Sequence, residues 1–441
     1  MAGPALPTPT LLAFDDTDSR TGGCTTHLAF HVLLALPELA LSGMPRLVRL
    51  NPNVPWKTRG NAAVVMPLGH PVGPATRVGE LRGQEIRAFP DCRPAAPSDD
   101  IVDRAWKAVR SAAQADAQPS IVAFADAPPA TMYWQGVRTR VDPDDARAGI
   151  QALGGIYRTT TGRSLVGCLA AAAWPGPASS YEFIAYREPQ RWGTERAIRP
   201  DPLLAIDALG ATFHTADPSE DRVTCVPHGP DPVLLGLRGR DSEELLATAG
   251  RVVPAAAAEP VDGWLLWATN QASGDHVTAI NGIGEAPEWA TVAIDAAVAA
   301  TPSVQRGGHV HVQLVDVSGR AFAAVAFEPT KALRDVVRGL RPGDRVRAVG
   351  AFGDGVARLE KLRIDHVEPQ LLKLDNPTCP SCGRSMKSAG VAQGYRCRTC
   401  KTKAPPDAAG MAPEPRSVAL GWHEVPVMAR RHLHRPLAWD A

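Results

Sequence analysis

The sequence predicts a multidomain α+β protein, and three stretches carry that expectation. Residues 11–34, LLAFDDTDSRTGGCTTHLAFHVLL, read as strand, acidic loop and helix. Residues 263–368 hold several β-rich runs and one short helical pattern, the order of a small β-barrel of the OB-fold kind. Cys379-Pro380-Ser381-Cys382 and Cys397-Arg398-Thr399-Cys400 are two Cys-x-x-Cys knuckles fourteen residues apart, the spacing of a zinc ribbon.

At 441 residues and 44% apolar content the chain has room and core material for several domains. Its net charge of +1 creates no overall field toward nucleic acid or membrane, so any basic surface must be local. Arginine outnumbers lysine, which favours planar, bidentate contacts to phosphate. No apolar run approaches 18 residues, and residues 1–10 lack the basic start and long apolar centre of a signal peptide. A cytoplasmic protein is expected. Cys24, Cys92, Cys168 and Cys225 are scattered while the other four cysteines cluster, which suits metal binding in a reducing compartment.

The first unit, residues 1–158, reads as α/β. Residues 11–14 are apolar and bounded by charge, as a buried strand should be, and residues 24–36 are long enough for a helix. Asp15, Asp16 and Asp18 leave the strand together, Gly22-Gly23 allows backbone amides to approach an anion, and Thr25 and Thr26 open the helix. The plain reading is a solvated turn followed by a threonine cap. Crowding three carboxylates costs repulsion, however, so a fold that gathers them has a cation to hold, here Mg²⁺. A calcium loop begun at Asp16 lacks the glycine and glutamate it needs. The Asp-x-Asp-x-Thr signature of haloacid-dehalogenase-like phosphatases fits Asp16 and Asp18 but meets Arg20 at the threonine position; a phosphotransferase of that kind is the alternative enzyme reading. Next, strands at 47–50 and 62–66 flank a loop with Lys57, Arg59, Gly60 and Asn61, suited to a triphosphate or an RNA backbone. A polar stretch (77–100), an amphipathic helix (101–113), a strand (119–124) and a polar-faced helix (142–153) complete the unit.

The second unit, residues 159–258, is α+β: a small-residue helix at 166–173, a strand at 181–186, the proline-braced segment 227–234 exposing His228 and Asp231, and a helix at 242–250. Residues 254–260 read as a linker. In the barrel unit, 259–370, strands are expected at 264–268, 309–316, 321–327, 345–352 and 358–366, with a helix at 329–340. Such barrels bind single-stranded nucleic acid or tRNA, or serve as protein adaptors. In the last unit, 371–441, four thiolates would close a tetrahedral, structural Zn²⁺ site. Arg384, Lys387, Arg396, Arg398, Lys401 and Lys403 with Tyr395 read as an RNA-facing set, continued by the basic tail at 429–437. A non-catalytic RNA-binding protein is thus a further alternative.

FDDTDSRTGGCTTH, LVRLNPNVPWKTRGNAAV, SYEFIAYR with WGTER, PHGPDPVLLGLRG, the CPSC and CRTC knuckles and EVPVMARRHL together resemble the tRNA(Ile) 2-agmatinylcytidine synthetase family nearly end to end. The resemblance implies a kinase-like domain, a ferredoxin-like domain, an OB-fold and a zinc ribbon. It implies an ATP-driven condensation of agmatine, or a related amine, with C2 of the wobble cytidine of the isoleucine tRNA bearing a CAU anticodon. The implied cofactors are ATP, Mg²⁺ and structural Zn²⁺, and the partners tRNA and the amine, with no membrane and no obligate protein partner. By position, Asp15, Asp16 and Asp18 would hold Mg²⁺ and ATP, and Thr25 would be the threonine the family autophosphorylates. Gly22, Gly23, Thr26, Lys57, Arg59 and Asn61 would contact the nucleotide. The family's Gly-Asn-Gly-Arg-Gly is Thr160-Thr161-Gly162-Arg163-Ser164 here, a departure at a contact with amine or tRNA. Agmatine's guanidinium needs a carboxylate and its amine a proton acceptor; Asp231 and His228 are the candidates, with Glu182 as the alternative carboxylate.

Overall fold

The computed structural model describes residues 9–439, so the reading of residues 1–8 lies outside the described residues. The first strand, β1 (Thr10–Asp15), sits between β4 (Ala62–His70) and β8 (Ser120–Phe124), antiparallel to both. Its side chains alternate between two cores: Leu12 and Phe14 face one, Leu11 and Ala13 the other. Helices α1 (Thr25–Ala35) and α2 (Asp99–Ala112) cover the first face. Helices α3 (Ala130–Arg138), α4 (Pro143–Ala152) and α5 (Leu165–Ala172) cover the second. Being covered on both faces is why β1 is apolar throughout.

The sheet does not end with the first unit. Strands β10 (Ser180–Arg187), β13 (Val233–Gly239) and β14 (Val261–Thr269) continue it. Strand β14 pairs with β10, with β5 (Thr76–Leu81) and with β3 (Arg46–Arg49), while β3 pairs with β4; through β6 (Gln84–Ala88) and β2 (Ala40–Leu41) the ring closes into a barrel. The polar stretch after residue 77 is therefore a hairpin, turned by Arg82 and Gly83, both with positive φ. Two expectations are corrected here. Residues 264–268 are not a strand of the second barrel. Nor is 254–260 a linker: α7 (Ser242–Ala256) runs through Pro254, and Glu259 is fully buried against Arg187, whose Nη2 donates to Glu259 Oε2 at 2.9 Å. A buried charge pair this close to β14 fixes the segment in the core.

The second barrel closes through β16 (Thr291–Val298), β18 (Val310–Asp316), β19 (Ala321–Ala326), β20 (Arg345–Gly353) and β21 (Val356–His366). Four of these strands are the expected ones; β16 takes the place assigned to 264–268. Its sequence, TVAIDAAV, is small-residue rich and interrupted by Asp295, which hides the strand pattern. A short helix, Ala332–Arg338, packs Leu333 and Val337 into this core.

Beyond it, two hairpins at 387–388, 395–396 and 403–404 form the small ribbon. The basic side chains named above are exposed, but Tyr395 is buried with Met386 under Lys373, so it belongs to the ribbon's core and not to an RNA face. The tail departs more sharply from expectation. Residues 430–434 fold back as a strap: Leu433 is buried with Val48, Leu50 and Tyr133, His434 bonds Glu424 at 2.8 Å, and Arg431 pairs with Glu360 at 3.3 Å. Its basic groups spend their charge on buried carboxylates of the barrel side.

Candidate active site

The acidic loop begins where β1 ends. Asp16 takes a left-handed φ of 55°, a strained conformation tolerated by aspartate, and its backbone N–H donates to Asp15 Oδ1 at 2.7 Å. Ser19 and Gly22 close a tight turn through a backbone hydrogen bond of 2.9 Å. Gly23, with φ 77°, then passes so close to the Thr17 carbonyl and Gln114 that no side chain fits. Gly22 and Gly23 thus shape the loop from behind and stand outside the cavity lining. Helix α1 follows with Cys24 as its extended N-cap and no side chain capping it. Its first amides are left for an anion, at the positive end of the helix dipole.

The helix start opens onto a cavity of about 550 Å³ lined by Asp15, Asp16, Asp18, Cys24, Thr25 and Thr26 at one end. Burial raises the Asp15 carboxyl well above its ordinary value, with repulsion from Asp16 and Asp18 adding to it. Asp16 is raised chiefly by burial, against the pull of Arg163. Asp18 is raised from 3.8 to about 6, burial again outweighing Arg59. This end therefore favours either a proton or a cation. Among the described residues the three carboxylates do not form a closed cage; only the four ribbon cysteines bring their ligand atoms within 4.8 Å of one another. An open acidic edge fits Mg²⁺, which uses one or two carboxylates and fills its octahedron with water and phosphate.

Arg59 joins this end to the next. Its Nη1 donates to the Gly23 carbonyl at 3.1 Å and lies 3.2 Å from Asp18 Oδ2 and 3.6 Å from Asp231 Oδ2; Nη2 donates to the Ser19 carbonyl at 3.2 Å. Asn61, φ 45°, spends its amide on the Asn51 carbonyl at 2.7 Å and so shapes its own loop. Lys57 lines the cavity, its pKa lowered by burial and by Arg431. Thr26 is buried, its hydroxyl 3.0 Å from Cys24 Sγ. Thr25 Oγ1 accepts from the Thr17 hydroxyl at 3.0 Å.

At the far end Asp231 and Glu182 also line the cavity. Asp231 Oδ1 accepts from Arg196 and from the Val233 amide, both at 3.1 Å. Glu182 spends both oxygens: Oε1 accepts from Arg238 at 3.1 Å, Oε2 from Gln271 at 2.6 Å. His228 is not part of this constellation. It is exposed, outside the lining, 3.2 Å from Arg222.

Chains compared over nearly their whole lengths decide the family. The TiaS TCKD domain model matches residues 11–160, the TiaS FLD domain model residues 162–276, and the TiaS C-terminal zinc ribbon domain model residues 376–410. The tRNA(Ile) 2-agmatinylcytidine synthetase TiaS of Methanosarcina mazei is 34% identical over 437 residues, covering 97% of this chain and 96% of the relative. That of Archaeoglobus fulgidus is 34% identical over 442 residues, with the same coverage. The solved complex of TiaS with its isoleucine tRNA and ATP superposes with a TM-score of 0.82 at 31% identity, over 98% of this chain and 97% of that one. The complex of TiaS with the same tRNA, AMPCPP and agmatine gives 0.79 at 28%, with equal coverage. The chain belongs to the tRNA(Ile) 2-agmatinylcytidine synthetase family.

Within this agmatinylcytidine synthetase chain, several cavity residues have no local signal. Asn270 accepts from the Arg49 amide at 2.7 Å and donates to the Arg49 carbonyl at 2.9 Å, although the two are 221 residues apart. Gln271 must donate to the Glu182 carboxylate, so its oxygen faces His432 Nδ1 at 3.0 Å and accepts that proton. Burial drives the His432 pKa well below its usual value, so the strap delivers a neutral imidazole to the cavity wall. A polar Thr-Asn-Gln closing an apolar strand is the one readable hint.

The ribbon's two knuckles repeat one geometry. Cys379 N–H donates to the Arg384 carbonyl and Cys397 N–H to the Thr402 carbonyl, both at 2.8 Å; Gly383 and Lys401 donate back to Cys379 and Cys397 at 2.9 and 3.0 Å. Gly383 and Lys401 both have positive φ. With Cys382 and Cys400 this aims four thiols at one point, the set that holds Zn²⁺ with no position left for water.

Proposed function

We propose that this chain is an ATP-dependent ligase that phosphorylates the C2 oxygen of the wobble cytidine of isoleucine tRNA with a CAU anticodon, then replaces the phosphate with agmatine. The observation that carries the reading is the cavity that joins an uncapped helix start and acidic edge to a second carboxylate end, in a chain related end to end to enzymes of that name. The C2 carbonyl oxygen is a poor leaving group. Phosphoryl transfer makes it a good one; the amine nitrogen then bonds to C2, the C2–O bond breaks, phosphate departs and the amine loses a proton.

The α1 amides and Lys57 would hold the phosphates, with Thr25 beside them as the phosphoryl-accepting hydroxyl. Asp15 and Asp16 would hold Mg²⁺, which neutralises phosphate charge when bound. Asp18 has one oxygen against Arg59 and a pKa of about 6, which suits it to receive the amine's proton. Asp231 Oδ2, with Arg59 at 3.6 Å as its neighbour, is the carboxylate oxygen open to a guanidinium. The kinase-like, ferredoxin-like and OB-fold descriptions of the three larger units, and a cytoplasmic location, belong to the same reading; among the described residues no helix is long and apolar enough to cross a membrane. Incubating the protein with CAU-anticodon tRNA, ATP and agmatine and weighing the digested nucleosides tests it: an agmatine-bearing cytidine is expected, and unmodified cytidine overturns it.

A further inference from the structure

At the cavity mouth stands an aromatic and cationic cluster that the chemistry above does not use. Trp56, in the loop between β3 and β4, is 42% exposed and meets Trp289, from the barrel, edge to face at 5.1 Å. The Arg140 guanidinium lies over both rings, 5.5 Å from Trp56 and 5.7 Å from Trp289. Arg163 lies over Trp56 at 5.6 Å. The four side chains come from four separate segments, so folding, not chain proximity, gathers them.

Three features mark the cluster as more than packing. A large indole in water costs hydrophobic free energy that the fold could have recovered by burying it. Trp289 has a φ of 63°, which a bulky residue adopts only when its surroundings impose it. Those surroundings are backbone bonds from Trp289 N–H to the Phe352 carbonyl at 2.9 Å and from Phe352 N–H to the Ala290 carbonyl at 2.7 Å. The Trp56 loop is pinned to the same wall, Asn53 Nδ2 donating to Thr291 Oγ1 at 2.9 Å. Finally, Trp56, Arg140 and Arg163 line the cavity that holds Asp16, and Arg163 is the cation that pulls the Asp16 pKa down.

Exposed indoles flanked by guanidiniums fit an unpaired nucleobase, which offers a π-face to the ring and a phosphate to the arginine. We propose that Trp56 and Trp289, with Arg140 and Arg163, form a stacking platform for an unpaired anticodon base next to the target cytidine, so that stacking one base delivers its neighbour into the cavity. This rests on the functional reading above. Stacking is indifferent to base identity, so the platform supplies position and leaves base choice to the cavity.

The test uses the full chain and a CAU anticodon stem-loop with 2-aminopurine, whose fluorescence falls on stacking, on either side of the cytidine in two separate probes. In the wild-type chain one probe is expected to be quenched. Trp56→Leu and Trp289→Asn, the latter chosen because asparagine tolerates the backbone conformation, should each relieve the quench. Each should also raise the RNA concentration for half-maximal modification by about tenfold, the scale of one base–aromatic stack, and Trp56→Phe should restore most of it. Agmatine transfer by the wild-type chain with a quench undiminished in both variants overturns the platform and leaves the functional reading standing. No transfer by the wild-type chain overturns that reading, and the platform with it.

Discussion

Gly167, on α5, stands against the Asp15 carboxylate so closely that an added Cβ would overlap Asp15 Oδ2. The hydrogen at this one position is what lets the first aspartate lie along a helix backbone. Gly167→Ala should therefore push Asp15 out of place, destabilising the apo protein by about 1–3 kcal/mol and cutting ATP consumption at least about tenfold. Wild-type melting and turnover in this variant would show that Asp15 has no fixed part in the site.

The crowded carboxylates also predict a pH dependence. An acid whose pKa is higher in the native state binds its proton there first, so the native state is penalised as pH rises from 3.8 to about 6, and stays penalised above that. Asp18→Asn should raise the melting temperature of the nucleotide-free protein at pH 7.5 and leave it unchanged below pH 4. A lower melting temperature at pH 7.5 would mean that the Arg59 pair, not burial, governs Asp18. Asp16→Asn should keep the fold and abolish Mg²⁺-dependent ATP consumption.

The ribbon should contain one Zn²⁺ per chain, measurable by metal analysis. Replacing Cys382 and Cys397 together by serine removes half the ligands and should lose the metal. Binding of tRNA should weaken while ATP binding at the acidic end, in a separate unit, stays within about a factor of two. Zinc retained by the double variant would place the metal elsewhere.

Which of these features the sequence displays depends on range. The strand–loop–helix of β1 and α1 and the two knuckles are local patterns, and they appear where the residues put them. Strand β14 is visible as a strand, but its partners, Arg46–Leu47, Gly79–Leu81 and Ser180–Arg187, are remote, so its pattern alone assigns it to the wrong barrel. The strap misleads for an electrostatic reason: a sequence shows Arg430, Arg431 and His434 as charges, and only the fold shows Glu424 and Glu360 meeting them. Arg59 is legible as a basic loop residue, but not as the bridge from Asp18 to Asp231.

The strap should also hold the fold together without RNA. Leu433, 1% exposed, fills a core shared with Val48, Leu50 and Tyr133, so Leu433→Ala should cost about 2–5 kcal/mol with no RNA present. Unfolding monitored in RNA-free buffer measures it. A stability loss under about 0.5 kcal/mol would return the tail to the status of a solvated basic arm.

For the amine, the state of the oxygens decides between two carboxylates. Glu182 has both of its oxygens engaged, by Arg238 and by Gln271, with Arg49 a further 3.4 Å contact. Asp231 has one. Oδ1 is held by Arg196 and the Val233 amide, while Oδ2 has Arg59 at 3.6 Å, beyond a hydrogen bond, and Gly229 beside it leaves room. An incoming guanidinium can take Oδ2 without displacing a bond, whereas at Glu182 it would have to break one. Asp231→Asn should accordingly raise the agmatine concentration for half-maximal rate by about one to two orders of magnitude, the scale of a charge-assisted hydrogen bond. His228→Ala, altering an exposed ring outside the cavity, should change it less than about twofold. If instead Asp231→Asn raises the ATP requirement and leaves the agmatine requirement alone, Asp231 serves through Arg59 to hold the acidic loop, and the amine is bound by some other group.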